Sequence, residues 1–195
     1  MLAVLQGLTE FLPVSSSGHL LLPAALFGWQ DQGLTLDIAV HLGTLAAVIL
    51  YLRRDLMGLV AGSYKWLLKR EESYESRLAL KLIVATLPAG LAGLALRAVI
   101  EANARSLAIV AATSIIFAVL LWLADRSGAR RANAVPFSEL TVPGALFIGV
   151  AQAFALIPGT SRSGVTMTAA RFLGLTREDS ARFSFLLSIP IILAS

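Results

Sequence analysis

Apolar residues run along this chain in blocks separated by short polar breaks, and the length of each block sorts the predicted elements into two kinds. Leu34 to Leu52, Leu78 to Val99 and Leu107 to Ala124 each come close to the ~20 residues an α-helix needs to cross a bilayer, so all three are predicted spans. Leu140 to Ile157 is also long enough, although Pro143, Gly144 and Gly149 interrupt it. Leu2 to Leu12, Leu20 to Phe27 and Val165 to Leu173 are only half-length pieces, and Phe183 to Ala194 begins a further span. Short apolar helices on either side of Pro13 and Gly18 predict a re-entrant helix-loop-helix hairpin over residues 2–27, because backbone in lipid must otherwise stay helical. The expected fold class is an all-α integral membrane protein.

The polar breaks repeat. The first runs from Gln6 through Glu10, Pro13, Ser15, Ser16, Ser17 and Gly18 to His19; the second runs from Gln152 through Pro158, Gly159, Thr160, Ser161, Arg162 and Ser163 to Gly164. Aligned on the glutamines, Ser15 meets Ser161, Ser17 meets Ser163 and Gly18 meets Gly164, with the prolines one place out of step. Each copy joins apolar residues to a hydroxyl cluster and then to apolar residues again, the pattern of a broken helix at membrane depth.

Basic residues orient the spans. Arg53, Arg54, Lys65, Lys69, Arg70 and Arg77 follow the first; Arg126, Arg130 and Arg131 follow the third; Arg177 and Arg182 come later, and all three stretches are expected in the cytoplasm. Three crossings then separate the two Ser-rich copies, which inverts the second relative to the first and lets their tips meet near the midplane. The expected organisation is one membrane domain, 1–195. Its first repeat covers 1–124, a cytoplasmic loop 53–77, and a second repeat, shortened at its C-terminal end, 140–195. Leu56 to Arg70 mixes apolar and basic residues and is expected to lie along the cytoplasmic interface as a surface-anchoring helix, while Trp29, Trp66 and Trp122 sit near span ends.

Composition narrows the function. Of 195 residues, 57% are hydrophobic and 14% charged, and mean hydropathy is +0.78, so a water-soluble globule is excluded. The net charge of +4 resides in loops between apolar runs, which argues against a nucleic-acid partner. Without cysteine, any catalysis rests on oxygen or imidazole.

Ionised side chains cost at least ~2.5 kcal/mol in hydrocarbon and therefore need partners or a polar ligand. Glu10, His19 and Arg162 are the three in the Ser-rich copies. Helix starts rich in Ser, Thr and Gly offer amides and hydroxyls to anions, and Arg162 adds a planar fork suited to phosphate. The candidate diphosphate-binding residues are Ser15, Ser17, Gly159, Thr160, Ser161, Ser163 and Thr166. Close helix packing also favours small residues, but three ionisable groups among so many hydroxyls exceed what packing needs. Asp37 and His41 are spaced to satisfy one another or to support that site, and Glu101 with Arg105 reads as a plain ion pair.

At Gln6-x-x-x-Glu10, at Ser15 to His19, and above all from Pro158 to Thr166, the sequence resembles the bacitracin-resistance family of undecaprenyl-diphosphate phosphatases; the likeness extends through His41 to Thr44 and covers essentially the whole chain. The resemblance implies an enzyme of the bacterial inner membrane that hydrolyses a C55 polyprenyl diphosphate, recycling the carrier lipid of cell-wall synthesis. It implies a site open to the periplasmic side, a divalent cation (Mg²⁺ or Ca²⁺) and often a homodimer. Glu10, with Gln6, is the metal candidate, Gln6 standing where the family has either Glu or Gln. Ser16 is the candidate nucleophile with Glu10 or His19 as base, and attack by His19 or by a water it activates is the alternative. The family begins earlier and continues for two further spans, so the chain reads as a fragment. The competing class is a membrane transporter or lipid flippase, which also uses inverted repeats.

Overall fold

The computed structural model describes residues 2–29, 33–103, 106–129 and 134–194, and among them the only departure from helix and loop is an isolated bridge between Val135 and Leu175. Nine helices follow in order among the described residues: α1 Leu2–Thr9, α2 Ser16–Phe27, α3 Gly33–Tyr51, α4 Arg53–Lys69, α5 Tyr74–Asn103, α6 Leu107–Ala129, α7 Val142–Ala153, α8 Arg162–Phe172 and α9 Arg177–Ala194. Two stretches, Tyr74–Leu96 and Leu107–Gly128, are long and apolar enough to cross a membrane; Ile38–Tyr51 and Val142–Leu156 are shorter apolar helices. The family of predicted spans is therefore present as helices, and the half-length pieces are α1, α2 and α8.

Local chemistry sets the ends. Ser15 and Ser161 are N-caps, accepting from the amides of Gly18 and Gly164, each at 3.1 Å, so α8 begins at Arg162 rather than at the first apolar residue, Val165. Thr141 caps α7 in the same way, with Pro143 in its first turn. Gly28 closes α2 with φ 66°. The chain over 53–77, expected as a cytoplasmic loop with a surface-anchoring helix at Leu56 to Arg70, is mostly helix: α4 runs from Arg53 to Lys69 and α5 starts at Tyr74. Its apolar and basic residues are arranged on a helical period, which leaves few positions for irregular backbone. Similarly, α9 starts six residues ahead of the apolar run, because Glu178 and Asp179 occupy its first turn, where the helix dipole favours them.

Packing joins these elements around small residues. α5 lies against α7 so closely that a Cβ on Gly149 would stand 2.4 Å from the Ala85 carbonyl oxygen. α6 packs on α8 and α8 on α9, enclosing Ala170, Leu175, Phe183, Leu186 and Leu187. Ser180, Ser184 and Ser188, one turn apart on α9, are all buried.

Ion pairs gather one end of the molecule. Arg182 of α9 pairs with Asp55 of α4, and Arg177 binds Asp125 of α6 through two nitrogens at 2.7 and 2.5 Å. The described parts of the three basic stretches expected on one membrane face thus share one end. Arg171 of α8 anchors there as well: its guanidinium donates to the carbonyls of Leu175 at 2.5 Å and Asp125 at 3.2 Å and lies 3.3 Å from the Asp125 carboxylate. Gly128 packs directly on it: a Cβ at position 128 would stand 2.5 Å from an Arg171 nitrogen and would push the guanidinium aside. Arg162 opens the same helix nine residues earlier, about 13 Å along the axis at the α-helical rise.

Candidate active site

The two Ser-rich tips touch. Ser163 Oγ donates to the Leu12 carbonyl at 2.6 Å and Ser161 Oγ lies 3.4 Å from the same oxygen, so the start of α8 is fastened to the backbone between α1 and α2. Beside this contact Arg162 Nη2 meets Glu10 Oε1 at 2.7 Å; the two side chains are 15% and 5% exposed, so water does little to screen the pair.

Glu10 is the hub of the site. Its Oε2 accepts from Ser16 Oγ at 2.7 Å and from Gln6 Nε2 at 3.2 Å, and His41 Nε2 stands 3.3 Å away. Gln6 Nε2 also reaches Thr44 Oγ1 at 3.3 Å. These contacts follow from helical spacing: Gln6 and Glu10 lie one turn apart at the end of α1, which packs on α3, where His41 and Thr44 share a face. A cavity of about 240 Å³ opens beside them, lined by Glu10, Ser16, His41, Thr160, Ser161 and Arg162 among others.

Two buried polar atoms here have no protein partner: Gln6 Oε1 and Thr160 Oγ1. A buried polar group without a partner is costly, so an orphan donor in a cavity wall and an orphan acceptor behind the carboxylate mark places for a ligand. Gln6 turns its Nε2 toward Glu10, so its Oε1 would join the Glu10 carboxylate as a hard-oxygen pair of the sort that binds Mg²⁺ or Ca²⁺ with the amide turned over, a donor set that fits such an ion once phosphate oxygens complete the shell. No group of three or more His, Asp or Glu able to hold a metal by themselves occurs among the described residues.

The structure brings together Gln6, Glu10, Ser16, Thr160, Ser161 and Arg162 of the sequence-predicted set. Ser15 and Ser161 are committed as caps. Ser163 and Thr166 are committed too, Thr166 Oγ1 lying 2.9 Å from the Arg162 carbonyl and 2.7 Å from Ser184 Oγ. Gly159 turns the second tip with φ 86° and sits against α6, where a Cβ would meet Thr113 Oγ1 and the Val110 carbonyl at 2.4 Å. The side chains of Ser17, Asp37 and Glu101, and Arg105 altogether, lie outside the described residues.

His19 is placed apart from the Glu10 cluster. Its Nδ1 is 2.6 Å from the Ser15 carbonyl, which can only accept, so Nδ1 carries a proton and the neutral tautomer selected by this contact has its lone pair on Nε2. The ring lines a second cavity of about 490 Å³ between α2, α6 and the second tip, with Ser15, Ser114, Gly159 and Ser161. The imidazole beside Glu10 is that of His41. Sequence reasoning gave His41 a supporting place only, and it overlooked Thr44, Thr113 and Ser114; Thr113 and Ser114 donate to the Pro158 and Gly159 carbonyls at 2.6 and 3.0 Å. Hydroxyls within an apolar span were the signal available for all three.

Comparison with known proteins agrees over the full length. The family model described as "Bacitracin resistance protein BacA" matches residues 1–195. Among curated relatives, the proteins named undecaprenyl-diphosphatase from Saccharophagus degradans and Hahella chejuensis are each 55% identical, and that from Alcanivorax borkumensis 52%. In each case the match covers 100% of this chain and 72% of the relative.

Proposed function

The chain belongs to the bacitracin resistance protein BacA family, and we propose that its joined tips form the diphosphate pocket of an undecaprenyl-diphosphate phosphatase. One observation carries this reading: Arg162 from one tip and Ser16 from the other meet on the same buried carboxylate, at 2.7 Å each. Phosphoryl transfer asks for charge neutralisation around the phosphate and a nucleophile held in line, and these are the groups present.

Arg162 faces the cavity and holds phosphate oxygens through its remaining guanidinium nitrogens, and the Thr160 hydroxyl, which has no protein partner, donates to another. The amides at the starts of α2 and α8 add a positive field for the anion. Ser16 Oγ attacks the terminal phosphorus while its proton passes to Glu10 Oε2. The bridging P–O bond breaks, and undecaprenyl phosphate leaves with the bridging oxygen. Water then cleaves the phosphoserine, releasing inorganic phosphate and returning the proton to Ser16. A divalent cation held by Glu10 and Gln6 supplies charge neutralisation on the diphosphate oxygens when bound. His19 Nε2, with its lone pair set by the Ser15 carbonyl, is the rival nucleophile or base.

The reading includes the inverted arrangement. The identical capping of α2 and α8 by Ser15 and Ser161, and the contact between the two tips, support two re-entrant hairpins entering from opposite faces. It also includes an inner-membrane enzyme open to the periplasm, and a homodimer, which cross-linking in intact membranes tests. The central experiment is phosphate release from undecaprenyl diphosphate by the natural full-length protein in detergent. Release that chelator stops and Mg²⁺ or Ca²⁺ restores is expected; no release under any condition defeats the reading and favours the transporter class.

A further inference from the structure

We infer that Thr113 and Ser114 of α6 are positioning residues that aim the second tip, and with it Thr160 and Arg162, at the Glu10 carboxylate. The inference rests on the phosphatase reading above.

The second tip is a tight turn with little to hold it from within. Ile157 is extended, as a residue before proline prefers, Gly159 is left-handed at φ 86°, and the Thr160 amide returns to the Ile157 carbonyl at 3.1 Å. That closes one bond of the turn but leaves the carbonyls of Pro158 and Gly159 pointing outward. Thr113 Oγ1 takes the first at 2.6 Å and Ser114 Oγ the second at 3.0 Å.

Thr113 has a choice of acceptor. The Ile109 carbonyl of its own helix stands at 2.8 Å and the Val110 carbonyl at 3.2 Å, yet a hydroxyl has a single proton, and the shortest contact is the one to the tip. Peptide groups are planar and trans throughout the described residues, so a carbonyl tied down on one edge fixes the direction of the amide on the other. Two adjacent carbonyls held by two adjacent hydroxyls therefore fix the rotation of the turn about its length. Thr160, Ser161 and Arg162 follow at once in the chain, and all three line the cavity beside Glu10. The Gly159 backbone lies so close to Val110 and Thr113 that a Cβ there would stand 2.4 Å from both the Val110 carbonyl oxygen and Thr113 Oγ1, which presses the turn directly on α6.

Thr113→Val keeps the shape and removes the proton. The expected result is a fall of about tenfold in kcat with KM changed less than about threefold, because misdirected groups are lost mainly from the transition state. Ser114→Ala behaves alike, and Thr113→Ser, which keeps the hydroxyl, recovers activity to within about threefold of the parent. The melting point in detergent is the control for a merely structural effect. A cysteine pair at Val14 and Thr160, both lining the Glu10 cavity, reads the aim of the tip without any chemistry: Thr113→Val should slow their cross-linking several-fold. Thr113→Val within twofold of the parent, Thr113→Ser as poor as Thr113→Val, activity loss that only follows a lower melting point, or unchanged cross-linking each overturn the inference. If the parent releases no phosphate, the phosphatase reading fails, and the cross-linking result still decides whether α6 aims the tip.

Discussion

Replacing Arg162 separates its contact with the protein from the contact with phosphate proposed for it. Toward the protein it neutralises Glu10, whose side chain is 5% exposed, by one short bond at 2.7 Å. Removing one partner of a buried pair costs about 3–5 kcal/mol, here moderated because Ser16, Gln6 and His41 still contact the carboxylate. Arg162→Ala is therefore expected to lower the melting point in detergent by roughly 10 °C, at ~2–4 °C per kcal/mol for a chain of this size. Arg162→Lys keeps a positive charge near Glu10 but has a point charge in place of the fork, so it should melt within a few degrees of the parent. It should nevertheless lose about 10–100-fold in kcat/KM, or ~1.4–2.7 kcal/mol of transition-state binding. Glu10→Gln in the Arg162→Ala background removes the stranded charge, so the double variant should melt higher than Arg162→Ala alone. Calorimetry and phosphate release on the parent, Arg162→Ala, Arg162→Lys, Glu10→Gln and the double variant make the test. Additive losses in the double variant would show that the pair does not couple the tips, and a fully active Arg162→Lys would show that the fork does not hold phosphate.

Ser16→Ala should cut phosphate release by at least about a thousandfold while leaving substrate binding measurable; near-normal release would exclude the serine, and a phosphohistidine trapped at His19 would establish the alternative. Gly149→Ala drives a Cβ to 2.4 Å from the Ala85 carbonyl, backbone against backbone, and should destabilise by about 1–3 kcal/mol, read as a lower melting point, whereas Gly43→Ala, with nothing within 4 Å, should be neutral or mildly stabilising.

The sequence carried the helices well and the convergence of side chains unevenly. Apolar block length located α3, α5, α6 and α7, because lipid imposes one solution on such a block. The repeated Ser and Gly positions pointed to a helix start at each tip but read Ser15 and Ser161 as phosphate ligands; their local bonds to amides three residues on cap helices that begin at Ser16 and Arg162, ahead of the apolar runs. Within 53–77, the mixture of charge and apolar residue from Leu56 to Arg70 reads as an interfacial helix, and the structure starts that helix three residues earlier, at Arg53, packed on α5. His41 shows the limit for the site. Its place beside Glu10 depends on α1 packing against α3, a contact across more than thirty positions of chain that no local spacing encodes. Thr113 was hidden for another reason, because a threonine in an apolar helix ordinarily returns its hydroxyl to its own backbone, as the Ile109 carbonyl at 2.8 Å invites.

Helix α8 carries one guanidinium at Arg171, among the ion pairs of the charged end, and another at Arg162, on the Glu10 carboxylate. The spacing makes it a ruler: with Arg171 seated at that end, the distance from it to the Glu10 pair is a count of residues. Adding one residue between them would turn Arg162 by about 100° around the axis and carry it off its carboxylate, while the anchor stayed home. The height of the Arg162–Glu10 pair above the charged end is thus written into the register of a single helix.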